Sequence, residues 1–154
     1  MKQIRRGMFE TNSSSCNTFI YKRELTIPTT LKIDSKLCDT IDYYRCSDEE
    51  RINAMISDYY KRYGNNLIAF LFRKGVQNIF IDEVEIKDKP EQNEQVKMFN
   101  YACESHNNDI SDEDMLLYNL FGELVEHANY RHGCQYLMSK YKDNPNFVYS
   151  DWFV

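Results

Sequence analysis

The chain has 154 residues, enough for one self-sufficient core, with apolar (42%) and charged (28%) fractions of an ordinary globular protein. Its net charge of −5 argues against nucleic acid as the main ligand, because nucleic-acid binders usually present a basic face. No apolar run follows the basic residues at the start and none approaches membrane-span length, so neither a secretory signal nor a spanning helix is predicted. Five cysteines without scaffold spacing read as reduced thiols of a cytoplasmic protein. Twelve Tyr and nine Phe are a large aromatic load. They reflect either coding composition or a surface suited to contact with another protein.

The first stretch of note is Arg5-Arg6-Gly7-Met8-Phe9-Glu10-Thr11-Asn12-Ser13-Ser14-Ser15-Cys16-Asn17-Thr18-Phe19-Ile20-Tyr21. Its small polar residues favour turns and caps. Thr18 to Tyr21, β-branched and aromatic, suits a strand. A polar turn feeding a first strand is therefore the plainest reading. A serine nucleophile would need a base within reach, and no histidine is local. A phosphate-cradling loop would need more glycine than Gly7 alone. The Arg5/Arg6 pair suits a phosphate or carboxylate but is equally a solvated pair.

Leu25 to Ile33 alternates about Pro28 and predicts an extended segment at a sheet edge. Asp34 to Cys46 reads mainly as loop. Ser47-Asp48-Glu49-Glu50 is a capping-box pattern, followed by Ile52, Met55, Ile56, Tyr59, Tyr60 and Tyr63 at helical spacing and closed by Gly64-Asn65. Leu67 to Lys74 predicts a short buried helix ending in basic residues before Gly75, with a strand as the alternative. Asn78 to Lys87 reads as one strand and Asp88 to Glu94 as a polar linker. Gln95 to Glu104 places Val96, Phe99 and Cys103 on one helical face, and Ser105 to Asp109 reads as loop. Ser111 starts a helix with acidic first-turn residues, apolar around much of its girth as far as Ala128, and Gly133 breaks or follows it. Tyr136 to Tyr141 adds a turn of helix. Phe147 to Tyr149 pairs as a last strand, and Trp152 to Val154 is an apolar end that should dock. The sum predicts a single α+β domain over residues 1–154: a small, mainly antiparallel sheet packed against two to four helices.

Four constellations are candidates for chemistry. Cys103, His106, His127, His132 and Cys134 supply zinc-ligand types, but at no familiar knuckle spacing. Asp82 with Glu85-Ile86-Lys87 resembles half of a metal-dependent nuclease site, although residues three apart on one strand face opposite ways. Any of Cys16, Cys38, Cys46, Cys103 or Cys134 is a nucleophile only beside a base. Asp109, Asp112, Glu113 and Asp114 satisfy a helix start more simply than they form a calcium loop. None is complete, so no catalytic residue, metal or cofactor is assigned.

The N-terminal block resembles the opening of a group of proteins from phages and mobile elements of Gram-positive bacteria. Their pattern is basic-Gly-x-Phe-Glu-Thr-Asn-Ser-Ser-Ser, a small residue, His-Ser and an apolar strand. Arg6, Gly7, Phe9, Glu10, Thr11, Asn12, Ser13, Ser14 and Ser15 match it; Cys16 takes the small position, and Asn17 and Thr18 replace the His-Ser pair. The resemblance brings no activity with it. It implies a small phage-type accessory protein in the host bacterial cytoplasm that binds a host protein and inhibits or redirects it. A nucleic-acid-binding immune effector, as in anti-CRISPR inhibition, is one such target. Arg5, Arg6, Glu10, Asn12, Ser13, Ser14 and Ser15 are the candidate binding residues, with no direct nucleic-acid or membrane contact. The alternatives are a small hydrolase or modifying enzyme using the serine-rich block, and a self-associating phage structural part.

Overall fold

A computed structural model describes residues 16–36, 48–97, 102–106 and 109–153. The architecture is α+β, with four helices and seven strands among the described residues. The strands form two sheets, and four of their five pairings are antiparallel. The contacts divide the chain into two compact units: Met1–Leu25 with Met98–Val154, and Thr26–Lys97.

The first unit is built on β1 (Cys16–Lys22), which lies inside a four-stranded antiparallel sheet between β6 (Leu124–Ala128) and β7 (Phe147–Phe153). β5 (Ala102–His106) pairs on the far side of β7. The predicted first and last strands are both present, the last one longer than Phe147 to Tyr149. Of the six β1 residues from Cys16 to Tyr21, all but Asn17 are buried. That pattern follows from its placement, because helices pack on both faces and β1 has no solvent face to keep polar. Cys16 and Ile20 look toward α4 (Arg131–Tyr141), joined by Ala128, Leu137, Tyr141 and Tyr149 in one apolar cluster. Tyr21 looks the other way, toward α3 (Asp112–Phe121), where its hydroxyl donates to Asn119 Oδ1 at 2.7 Å. The α3 start is the one predicted: Ser111 Oγ accepts from the Asp114 amide at 3.1 Å, with three acids in the first turn. Met115 to Phe121 are all buried, as the apolar girth implied.

The helix does not continue to Ala128. It stops at Gly122, whose amide donates to the Tyr118 carbonyl at 2.7 Å, and the chain turns into β6. An unbroken apolar run cannot distinguish helix from buried strand, and Gly122 was the punctuation in it. Two further segments differ from their predictions. Residues 102–106 are strand β5, where helix to Glu104 and then loop were expected, while residues 98–101 lie outside the described residues. Gly133 follows the helix begun at Ser111, one of its two expected places, but lies inside α4, which starts at Arg131 where a helical turn was expected only from Tyr136. A Cβ there would lie 2.8 Å from the Tyr130 ring and 3.0 Å from the Ala128 Cβ, so the glycine admits a close approach of helix to strand.

The second unit runs β2 (Thr30–Ile33), α1 (Asp48–Tyr63), α2 (Asn65–Arg73), β3 (Asn78–Ile81) and β4 (Val84–Glu85). β2 is an edge strand after Pro28, as expected, and pairs parallel with β3 through the two-helix crossover. α1 follows its periodicity: Met55, Ile56 and Tyr59 are buried. Its cap residue Ser47 lies outside the described residues. Gly64, at φ 53°, accepts the left-handed geometry that lets one helix end and the next begin. α2 is the predicted buried helix, with Leu67 to Leu71 all enclosed.

The single strand predicted from Asn78 to Lys87 is instead a hairpin. Asp82 and Glu83 form its two-residue turn with φ of 49° and 71°, a conformation that Asn-Gly normally announces. Asp82 holds the turn through its side chain, accepting from the Ser35 amide at 3.0 Å and from the Ser35 hydroxyl. The 88–94 linker is irregular but tethered. Asn66 Oδ1 accepts from the Asn93 and Glu94 amides, and the Tyr63 hydroxyl donates to the Lys97 carbonyl.

Candidate protein-binding surface and a buried thiol pair

Arg5, Arg6, Glu10, Asn12, Ser13, Ser14 and Ser15 lie outside the described residues, as do Cys38 and Cys46. The tail of the same block is described, and each of its three residues meets a partner more than a hundred positions away. Cys16 Sγ lies 2.9 Å from Cys134 Sγ on α4. Asn17 Oδ1 is 3.1 Å from His127 Nε2 on β6. The Thr18 hydroxyl donates to Asp151 Oδ1 on β7, with Thr18 and Asp151 both buried. Alternation along β1 sends Cys16 and Thr18 to the α4 face and Asn17 to the opposite one. These contacts anchor β1 in the sheet, and local composition gave no sign of any of them.

That alternation decides two of the candidate sites. His127 pairs with Phe19 across the sheet and stacks on its ring at 4.4 Å between centroids, 15° from parallel. It therefore looks away from Cys134, which sits on the α4 face with Cys16. The sheet therefore runs between His127 and Cys134, which cannot share one zinc ion, while the side chains of Cys103 and His106 lie outside the described ones. No group of three or more His, Cys, Asp or Glu side chains placed to hold a metal occurs among the described residues. Burial lowers the His127 pKa to about 4, so the ring is neutral at pH 7 and a weak base. The Cys134 thiol is pushed up to about 12, mainly by burial and then by its bond to Cys16. A protonated thiol is a poor nucleophile, and His127 is on the wrong face to activate it.

The nuclease reading fails on the hairpin. Asp82 occupies the turn, while Glu85 lies on β4 opposite Phe80. The Asp82 carboxyl is held below the usual carboxylate range, chiefly by the Ser35 hydroxyl and next by its amide. Beside this turn an open groove of about 760 Å³ is lined by Lys32, Lys36, Asp34, Asp82 and Glu83 over Ile33 and Phe80. Its charges are mixed and Asp82 is already engaged, so the groove selects no ligand charge. The acidic residues at the α3 start act as expected: Asp109 accepts from Arg23 at 3.0 Å, and Asp112 to Asp114 occupy the first turn.

The exposed apolar side chains point to a different part of the molecule. Val84, Val125, Tyr130 and Tyr136 are the large exposed ones among the described residues. Three of them fall between positions 125 and 136, on β6, at the N-cap of α4 and on α4 itself. Tyr130 and Tyr136 are each about 60% exposed, which leaves most of both rings in water. β6 is also an edge of its sheet, pairing only with β1 among the described residues. An unpaired edge offers backbone donors and acceptors to an added strand. Next to it, Glu126 accepts from the Tyr141 hydroxyl and from Lys140 Nζ at 3.1 Å. Those bonds, the tyrosine's first, hold the Glu126 carboxyl below its usual range. Lys140 Nζ also lies 5.7 Å from the Tyr136 ring centroid, which restricts where that ring can turn. The aromatic load is visible in the sequence, but these two tyrosines are not distinguished within it, because burial depends on packing that local pattern does not encode.

No described helix is long and apolar enough to cross a membrane. Comparison with known proteins returns no matching family model, no matching curated protein and no matching solved structure.

Proposed function

We propose that this chain is a phage-type accessory protein that acts by binding a host protein and inhibiting or redirecting it. The observations that carry the reading are the exposed Tyr130 and Tyr136 at the start of α4 and on it, and the exposed Val125 on β6, a strand that pairs only with β1 among the described residues. Tyrosine gives a large, stiff contact area with a polar tip, and such residues dominate binding energy when a partner encloses them. The phage origin rests on the N-terminal resemblance, and an anti-defence role against a nucleic-acid-binding effector is its narrower form. The hydrolase alternative is weakened because His127, one of the bases it would recruit, is engaged with Phe19 and Asn17 and titrates at about 4.

The test is an affinity pull-down of the tagged protein from a nuclease-treated Gram-positive lysate, run in parallel with Tyr136→Ala and Val125→Glu. One host protein recovered in stoichiometric amount with the wild type, and lost with both variants, supports the reading. Equal recovery by all three would remove this surface from the account. Recovery of the bait alone would favour self-association or catalysis.

A further inference from the structure

We propose that Cys16 and Cys134 are an intramolecular disulfide site, closed by hydrogen peroxide acting as a two-electron oxidant. The inference is independent of the binding role. Two observations carry it. The sulfurs are 2.9 Å apart, within about 1 Å of the ~2.05 Å of a disulfide bond. They also sit between rigid elements, one at the start of β1 and one in α4, inside the shared cluster of Ile20, Ala128 and Leu137. Closure therefore needs only a small inward movement of side chains already in contact. Both residues are free thiols.

The thiolate of one cysteine attacks a peroxide oxygen, the O–O bond breaks, and a sulfenic acid forms as water departs with the thiol proton. The second sulfur then attacks the first, forming the S–S bond and expelling hydroxide, which takes the second thiol proton as water. Two thiols and one peroxide give one disulfide and two waters, and two electrons pass from sulfur to oxygen. The Cys134 thiol is held protonated by its burial, so the first step is slow relative to an exposed thiol and needs sustained oxidant. Peroxide is small enough to enter a site where each cysteine is about 5% exposed.

Closure joins β1, which directly follows the serine-rich block, to the helix that carries Tyr136. The closed loop spans 118 positions, so the bond removes much freedom from the unfolded chain.

The experiment treats the full chain with hydrogen peroxide, blocks residual thiols under denaturing conditions, and digests it with trypsin without reductant. The expected product is peptide 7–22 joined to peptide 132–140, lighter by about 2 Da than the two separate peptides and separated by dithiothreitol. On a non-reducing gel the chain stays monomeric, and its Tm rises by at least about 5 °C. Cys134→Ser abolishes both the linked peptide and the rise. A second chain, with Cys38, Cys46 and Cys103 changed to Ser, still gives both. Cys16 and Cys134 recovered as separately blocked thiols would overturn the proposal. So would a bond to another cysteine, a link found only in dimers, or a bond that leaves Tm unchanged.

Discussion

Gly122→Ala tests the junction at which α3 gives way to β6. A Cβ at this position would lie 2.4 Å from the Tyr118 carbonyl oxygen and 3.0–3.1 Å from Tyr21 Cδ1 and Cγ. Neither neighbour yields easily. The carbonyl belongs to the last turn of α3 and accepts the Gly122 amide, and Tyr21 is 1% exposed with its hydroxyl on Asn119. Overpacking of a filled core costs roughly 1–3 kcal/mol. Displacing Tyr21 weakens a buried hydrogen bond worth about 1 kcal/mol more. Against this, alanine restricts the unfolded chain and returns about 0.4–1 kcal/mol. The net loss should be about 1–3.6 kcal/mol, a fall in Tm of roughly 2–14 °C for a chain of this size. Urea unfolding followed by far-ultraviolet circular dichroism measures it, with Gly133→Ala as the comparison. At Gly133 the closest atoms belong to the Tyr130 ring, which is about 60% exposed and can turn toward water. The Ala128 Cβ at 3.0 Å on β6 must also give slightly, which offsets the roughly 1 kcal/mol of helix propensity that alanine gains. That variant should stay within about 1 kcal/mol of wild type. A Gly122→Ala loss below about 0.5 kcal/mol, or a larger loss for Gly133→Ala, would refute the packing argument.

Three further outcomes are expected. The folded His127 pKa of about 4 lies below its unfolded value of 6.5. The stability from burying the neutral ring is therefore complete above about pH 6.5 and declines toward pH 4, by up to about 3 kcal/mol. His127→Phe keeps the stack on Phe19 and should flatten that slope in urea titrations at pH 7 and pH 5; an unchanged slope would assign the acid loss elsewhere. The Glu126 carboxyl also titrates below its usual range, so its contribution is present above the unfolded pKa and lost as pH falls through the folded one. Tyr141→Phe removes the largest cause, and its stability deficit at pH 7 should narrow by pH 3; a constant deficit would show that the bond does not govern the titration. Val125→Lys places a charge on β6, which pairs only with β1 among the described residues, and should reduce partner capture at least tenfold without lowering Tm, measured by pull-down and thermal scanning. Undiminished capture would show that β6 is not the contact.

Much of the fold was legible wherever the signals were local. The Ser111 cap with its acidic turn fixed the start of α3, and apolar spacing with Gly64 fixed the extent of α1. The Arg-Lys-Gly sequence after α2 read correctly for the same reason. The misread segments are those whose state depends on distant chain. Residues 124–128 are strand because β1 lies beside them, and 102–106 because β7 does. The 82–83 turn escaped notice because Asp82 and Glu83 adopt left-handed backbone without glycine, supported by Ser35 from outside the segment. The contacts of Cys16, Asn17 and Thr18 span more than a hundred positions each, beyond any window of local pattern. The exposed Tyr130 and Tyr136 were unreadable for a related reason, since the buried Tyr21, Tyr59 and Tyr141 are the same residue type.

The placement of β1 has a consequence for synthesis on the ribosome. Its neighbours β6 and β7 begin at positions 124 and 147, and the whole of Thr26–Lys97 is made in between. At about 5–20 residues per second, roughly 6–25 s separate the emergence of Lys22 from that of Phe147. Throughout that interval Thr18-Phe19-Ile20-Tyr21 is an uncharged, β-prone run with no strand to pair with. The described strands of the 26–97 unit are all made by position 85, whereas the four-stranded sheet closes late, through contacts of long sequence separation. Shielding of the nascent β1 while its partners are still being made should therefore raise the soluble yield of this protein.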